Sequence, residues 1–392
     1  MESIREQMRR VILIVAALCL LVSCRQEPLS RRMMESEMGR CPTAAELDEM
    51  GGKLKWNYTT GLELLSFLDA SDESLEYVDS WYDAIIREDG SVGANYKLSN
   101  YSLDHVCPAR TLFKLYEATG SEKYRAAMDS IYRQIKLQPR TEAGAFWHKK
   151  IYPYQVWLDG LYMGEPFYAE YSAKYLNDSE ISANFDDITL QFRVAYDKCY
   201  DPATGLLRHA WDESRSMFWA NPETGQSDHA WGRALGWYMM ALVDVLDWVP
   251  EKHPAKQELT GILCTLLDKL QEYDDPATGM WYQVLDCPGR EGNYIESTCS
   301  AMFTYAYLKA ADKGYAPQYK QYARKLYRKL VKTFIREEKD GAITLTECCA
   351  VAGLGGKENR RGDYEYYINE KKCENDPKGV GPFIWASLIY EK

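Results

Sequence analysis

Several absences narrow what this chain does before any motif is considered. There is no surplus of positive charge: 47 lysines and arginines stand against 58 aspartates and glutamates, a net charge of −11. Nucleic-acid binders draw much of their affinity from neutralising phosphates, so nucleic acid is not expected as a partner. Neither Cys-x-x-Cys nor the Cys/His spacing of a zinc site occurs, so no metal and no cofactor is expected. Strand-like alternation of apolar and polar residues is scarce and brief, which argues against a sheet-based fold. The apolar run from Val11 to Val22 is shorter than the roughly 20 residues a membrane-spanning helix needs.

That run instead has the form of an export signal. Arg5, Arg9 and Arg10 precede it, and Leu21-Val22-Ser23-Cys24 follows, with a small residue before the cysteine. The tetrapeptide resembles a bacterial lipobox, which implies cleavage before Cys24 and lipidation of that residue. Membrane contact would then run only through the lipid at Cys24, placing the protein in a bacterial cell envelope, facing the periplasm. A plain cleaved secretion signal is the alternative. Residues 25–50 are polar without sustained periodicity and are expected to form a tether. Residues 51–392 are expected to form one domain. Beyond Cys19 and Cys24 nine cysteines remain, an odd number without deducible pairing, and most are expected to be buried small hydrophobes.

What the chain does have is rings and a repeat. Eleven Trp, 30 Tyr and 10 Phe make 13 % of the residues aromatic, which suits either core packing or stacking on sugars. Apolar residues recur three and four apart in Leu112-Leu115-Tyr116-Ala118, Tyr238-Met239-Leu242-Val243-Leu246, Ile262-Leu266-Leu267-Leu270 and Leu326-Leu330-Phe334, each a helical face. Between such segments a turn recurs around Gly90, Gly144, Gly205, Gly279 and Gly341, twice as Asp-Pro-Ala-Thr-Gly. The glycines are 54, 61, 74 and 62 residues apart, room for two helices and their connections. A sixth turn is expected at Lys378-Gly379-Val380-Gly381-Pro382-Phe383. Such units bury their apolar faces only by stacking, so the chain is expected to be all-α, an (α/α)6 toroid of six helical hairpins, with an open solenoid as the alternative.

Three clusters combine charge and rings. Asp104 lies just before a helix introduced by Pro108. Asp159 follows a run from Trp147 to Trp157 that contains His148, Lys149 and Lys150. His229, Arg233 and Trp237 are spaced for one helix face, with Trp231 beside them, and His209 follows the third turn. Each aspartate has an alternative role as a helix cap. Carboxylates, cations and rings at one end of a toroid suit a carbohydrate, particularly an acidic one.

At these residues the chain resembles glycoside hydrolase family 105, the unsaturated rhamnogalacturonyl hydrolases. The likeness is carried by Phe146-Trp147-His148-Lys149-Lys150, Trp157-Leu158-Asp159-Gly160-Leu161-Tyr162-Met163 and Trp231-Gly232-Arg233 with Gly236-Trp237. Further on, Ala350 to Gly356, Tyr364-Glu365-Tyr366-Tyr367 and Asn375 to Phe383 continue it. The resemblance implies an (α/α)6 barrel that removes the 4,5-unsaturated galacturonyl residue left on rhamnogalacturonan oligosaccharides by pectic lyases. It implies Asp159 as general acid/base, Asp104 as partner carboxylate, and Tyr58, Lys149, Trp157, His209, Trp231, Arg233 and Trp237 as sugar contacts. Protonating such a substrate at C4 needs a carboxyl group that is neutral near working pH. The expectation is that burial and the neighbouring Asp104 raise Asp159, while Lys149 and Arg233 hold the substrate carboxylate. An unsaturated glucuronyl hydrolase, an inverting glycosidase on saturated sugars and a non-catalytic glycan-binding lipoprotein are the alternatives.

Overall fold

The fold follows from two kinds of helix. In a computed structural model, which describes residues 27–49 and 53–392, five helices carry one apolar stripe each: α3 (Leu75–Ile85), α5 (Glu122–Lys136), α7 (Asp178–Cys199), α9 (Ala255–Leu270) and α11 (Lys320–Phe334). In α11 only Ala323, Leu326, Tyr327, Leu330 and Phe334 are buried, the three-and-four spacing of a helix that covers a core from outside. Others are buried all round. Every residue of α8 (Gly232–Val245) is inaccessible, and α6 (Leu158–Tyr175), α10 (Ser297–Asp312) and α13 (Pro377–Tyr390) are nearly so. With α2 (Tyr58–Ala70) and α4 (Thr111–Thr119) they form an inner ring in chain order. Each inner helix packs on the next, through the 3-10 turn Cys107–Arg110 at α4, and α13 packs back on α2. The ring is closed, as an (α/α)6 toroid requires, and the open solenoid is set aside.

The recurring turns are the tips of narrow hairpins that return the chain from outer to inner helix. Isolated β-bridges close the first four, Ile86 with Val92, Arg140 with Phe146, Tyr200 with Leu207 and Asp274 with Trp281. The fifth is a two-stranded pair of β3 (Ile335–Glu337) and β4 (Ile343–Leu345). All five glycines have φ between +69° and +91°, the left-handed region in which a side chain is strained. In the repeated Asp-Pro-Ala-Thr-Gly, the Asp201 carboxylate accepts from Ala203 N–H and Thr204 Oγ1, and Asp275 accepts from Thr278 N–H and Oγ1.

Two expectations fail. The stretch Lys378 to Phe383 is not a sixth turn: Asp376 caps Lys378 N–H at 3.0 Å, Pro377 occupies the first helical turn, and the segment lies inside α13. The expected tether also holds structure. Leu29–Arg40 is a helix, α1, that buries Met33 and Met34 and packs on α13. Ser36 Oγ accepts Ile343 N–H, and Arg40 donates to Ile343 C=O. It supplies the sixth outer helix. Its few apolar residues leave too weak a periodicity to see in sequence. The signal segment and Cys24 lie outside the described residues. Among the described residues no helix is long and apolar enough to cross a membrane.

Candidate active site

The inner helices α6, α8, α10 and α13 start at one end of the ring, where their connecting loops are laced together by main-chain hydrogen bonds. Leu103 N–H donates to His148 C=O, His148 N–H to Gln155 C=O, Leu158 N–H to His209 C=O, and His209 N–H to His229 C=O. Gly232 N–H continues to Gln283 C=O. Strands β1 (Gln155–Trp157) and β2 (Ala210–Asp212) pair antiparallel with Trp157 opposite Ala210. This lacing gathers side chains far apart in sequence at one mouth, over the positive ends of the helix dipoles.

Asp159 stands in the first turn of α6 with 15 % of its side chain exposed, and its Oδ2 lies 3.2 Å from His209 Nε2. The distance is that of an ion pair, but neither atom has a partner along its hydrogen-bonding direction among the described residues. The two groups are close without being aligned. His209 is fully buried, with Nδ1 at 2.7 Å from the Tyr367 hydroxyl. Asp104, in the 3-10 turn Leu103–His105, is 18 % exposed. One carboxylate oxygen forms a close ion pair with Lys149, and the other lies 3.4 Å from His148 Nε2.

The electrostatics depart from expectation. Burial pulls the Asp159 carboxyl upward, but His209 and His148 outweigh it and hold it below the ordinary carboxylate value. Burial also pulls Asp104 up, and Lys149 with His148 holds it low. Neither carboxyl is raised in the empty site. Repulsion between the two carboxyls is not among the causes of either shift; burial is offset by His209 and His148 at Asp159, and by Lys149 and then His148 at Asp104. His148 itself is pushed down to about 4 by burial, against the pull of Asp104.

The expected sugar-binding rings are in place but covered. Trp157 is sandwiched between His148 (4.7 Å between centroids) and Tyr152 (5.2 Å), with His209 at its edge. Trp231 stacks on Tyr367, its indole N–H donates to Gln283, and the Arg233 guanidinium lies 4.7 Å over its ring. Trp237 packs between Tyr58, the first residue of α2, and Tyr162. Trp231, Trp237 and Arg233 are each 1 % exposed, so in this conformation they back the site. Arg233 donates to Cys349 C=O while Glu296, which caps α10, accepts Cys349 N–H at 2.8 Å. The two side chains thereby clamp strand β5 (Cys348–Cys349) to the mouth. Of the two cations expected to hold the substrate carboxylate, Lys149 is the accessible one. His229 does not share a helix face with Arg233, because α8 begins only at Gly232; it lies in the preceding loop, 2.9 Å from Asp286.

His148 and Tyr367 also stand at the mouth, against Asp104 and His209, although the sequence assigned neither a role. His148 had a signal, its place next to Lys149. Tyr367, in the short helix α12 (Tyr364–Ile368), belonged to a quoted motif, but nothing in the sequence joined it to His209, 158 residues away.

A closed helical toroid that gathers two carboxylates, two imidazoles, a lysine and stacked rings at one mouth is the architecture of a six-hairpin glycosidase. The chain matches the family model described as Glycosyl Hydrolase Family 88 over residues 29–392. It is 42 % identical to a glycoside hydrolase from family 105 of C. acetobutylicum ATCC 824, covering 93 % of this chain and 99 % of that one with a TM-score of 0.87. Protein Atu3128 of Agrobacterium fabrum is 39 % identical over 231 residues, 57 % of this chain and 96 % of that protein. An unsaturated glucuronyl hydrolase specific for heparin shares the fold at 13 % identity, with a TM-score of 0.61 over 86 % of this chain and 85 % of that one. The chain therefore belongs to the glycoside hydrolases of families 88 and 105, the second of which its sequence motifs resemble, and is a glycosidase.

Proposed function

We propose that the protein hydrolyses the 4,5-unsaturated uronyl residue at the non-reducing end of lyase-generated oligosaccharides, with a rhamnogalacturonan-type aglycone. The observation that carries this reading is Asp159 itself: a partly accessible carboxylate with one buried oxygen lacking an aligned partner, set among imidazoles and rings. The imidazoles hold its carboxyl below the ordinary value. A substrate that brings its own carboxylate to the mouth and expels water favours the neutral acid. Asp159 then delivers a proton to C4, and the C4=C5 electron pair forms the new C–H bond. Positive charge develops at C5 and the ring oxygen. Water adds at C5 and returns a proton to the Asp159 carboxylate. The hemiketal opens, and the hemiacetal left at C1 expels the neighbouring sugar. Lys149, already paired with Asp104, is the cation within reach of the uronyl carboxylate, aided by the helix N-termini.

A neutral aglycone suits the rim. Ile151, Tyr154, Phe218 and Val351 are exposed large apolar side chains on the loops that carry Lys149, Trp219 and Cys349, and offer apolar faces to a deoxy sugar. The test is loss of the ultraviolet absorbance of the unsaturated uronyl group across a panel of lyase products. Rhamnosyl aglycones should be released faster than sulfated ones. Asp159→Asn should lose at least ~100-fold in kcat. Near-normal turnover by that variant, or activity confined to saturated oligosaccharides, refutes the mechanism. Preference for sulfated products refutes the aglycone and supports a glucuronyl hydrolase of other lyase products. We also propose that Cys24 carries a lipid anchoring the enzyme in the cell envelope, and Cys24→Ser should release it from the membrane fraction.

A further inference from the structure

Behind the Asp159 mouth, two loops bring together three side chains that the reaction does not use. His229 comes from the loop before α8, and Asp286 and Cys287 from the loop before α10. His229 Nδ1 lies 2.9 Å from Asp286 Oδ2 and 3.8 Å from Cys287 Sγ, and one ligand atom from each residue falls within 4.8 Å of the others. All three are partly accessible, so an ion and a water have a way in.

A nucleophilic triad is excluded by which nitrogen is used. In such a triad one imidazole nitrogen takes the proton of the thiol while the other is held by the carboxylate. Here Nδ1 faces both Asp286 and Cys287, so one nitrogen cannot serve both roles. The same convergence is what one ion requires. Bond lengths of about 2.0–2.3 Å to nitrogen, oxygen and sulfur at tetrahedral angles put ligand atoms roughly 3.3–3.6 Å apart. The His229–Asp286 and His229–Cys287 separations fall within a few tenths of an ångström of that range, one below it and one above.

We propose that His229, Asp286 and Cys287 form a site for one divalent ion of the zinc class, with water in the fourth position. Thiolate, imidazole and a single carboxylate select a borderline-soft ion over calcium or magnesium, which prefer all-oxygen shells. The surroundings already orient the ligands. Ala230 N–H donates to Asp286 Oδ1 at 3.1 Å and leaves Oδ2 for the ion, the Tyr364 ring lies edge-on to His229, and Arg208, 3.6 Å from Oδ2, is held the more closely by Asp201 at 2.8 Å. On binding, the thiol gives up its proton to solvent and the neutral imidazole offers Nδ1 to the ion with its proton on Nε2, so one proton leaves per ion. The ion ties two loops that otherwise meet through main-chain hydrogen bonds, such as Leu285 N–H to Ala230 C=O, and one of them carries the His229 carbonyl that accepts His209 N–H. Its expected consequence is a sturdier mouth. The spacing was invisible in sequence because 57 residues separate His229 from Asp286.

The experiment is titration of the chelator-stripped, purified chain with Co2+, followed by absorbance. About one equivalent should produce a near-ultraviolet thiolate-to-metal band and intense visible bands of a four-coordinate ion. Both should be lost in Cys287→Ser and in His229→Gln, each checked for an unchanged circular dichroism spectrum. Saturating Zn2+ should raise the melting temperature of the parent chain and not of the two variants. Absence of the thiolate band, survival of the band in Cys287→Ser, or a melting temperature indifferent to Zn2+ overturns the assignment.

Discussion

At the scale of single residues, His148 joins the two halves of the site, and its burial leaves a thermodynamic trace. Its ring is 3 % exposed, stacked on Trp157 and 3.4 Å from Asp104. The native imidazole is pushed from 6.5 down to about 4. Between those values the unfolded chain holds a proton that the native protein does not, so native stability falls as pH drops from about 6.5 toward 4. The interval corresponds to about 3 kcal/mol. Denaturation midpoints taken from pH 7 to pH 4 should therefore decline less steeply in His148→Gln than in the parent. Lys149 makes the complementary case, because it is partly accessible beside Asp104, where an anionic substrate is proposed to arrive. Lys149→Ala should raise KM about 10-fold, the low end of one charge-assisted hydrogen bond, and should lower the melting temperature modestly, because Asp104 loses the partner that holds its carboxyl low. Steady-state kinetics beside a thermal scan reads both. The residue types at the site were legible in sequence, since the Trp-x-Asp and Trp-Gly-Arg runs are local. Their exposure was not, because Arg233, Trp231 and Trp237 are covered by partners from α2, α6 and the Cys349 strand, contacts that no local pattern encodes.

At the scale of elements, the inner helices approach closely because the sequence leaves room for it. A Cβ built on Gly232 would come within 2.8 Å of Cys299 Sγ and 2.9 Å of the Tyr282 carbonyl. The second of these is main chain and cannot swing aside. Gly232 therefore sets the spacing between α8 and α10, and with it the position of Arg233 over Trp231. Gly232→Ala should cost about 1–3 kcal/mol of stability, the range for overpacking, as a lower midpoint in urea with an unchanged slope. A midpoint equal to that of the parent would show that the helices give way freely. The helices themselves were legible wherever an apolar stripe repeats: the segments starting at Leu112, Tyr238, Ile262 and Leu326 fall on α4, α8, α9 and α11. The hairpin tips were legible too, because glycine and the Asp-Pro-Ala-Thr-Gly cap are local chemistry. The stretch from Lys378 misled, because its glycines serve close packing of α13 against its neighbours rather than a turn.

At the scale of the molecule, closing the ring depends on the two ends of the chain meeting. The inner helix α13 lies beside α2, and its outer cover is α1, from the opposite end of the sequence. Closure removes the exposed faces that an open stack must cap, and it keeps the N-termini of the inner helices aimed at a single mouth. Five hairpins were legible from the spacing of the turns, but the sixth was placed at a turn that is helix instead, and the outer partner of the last inner helix was not legible. It is a polar segment more than 300 residues away that buries only a few side chains. Met33 and Met34 are 0 % and 2 % exposed, and burying two such side chains contributes about 3–6 kcal/mol. If residues 29–40 were a tether, their loss would leave the domain intact. A chain beginning at residue 27 should therefore melt as the parent does, and one beginning at residue 42 should lose about 3–6 kcal/mol, expose apolar surface of α13 to a hydrophobic dye and tend to aggregate. Equal urea midpoints for the two chains would restore the tether and place the edge of the catalytic ring beyond α1.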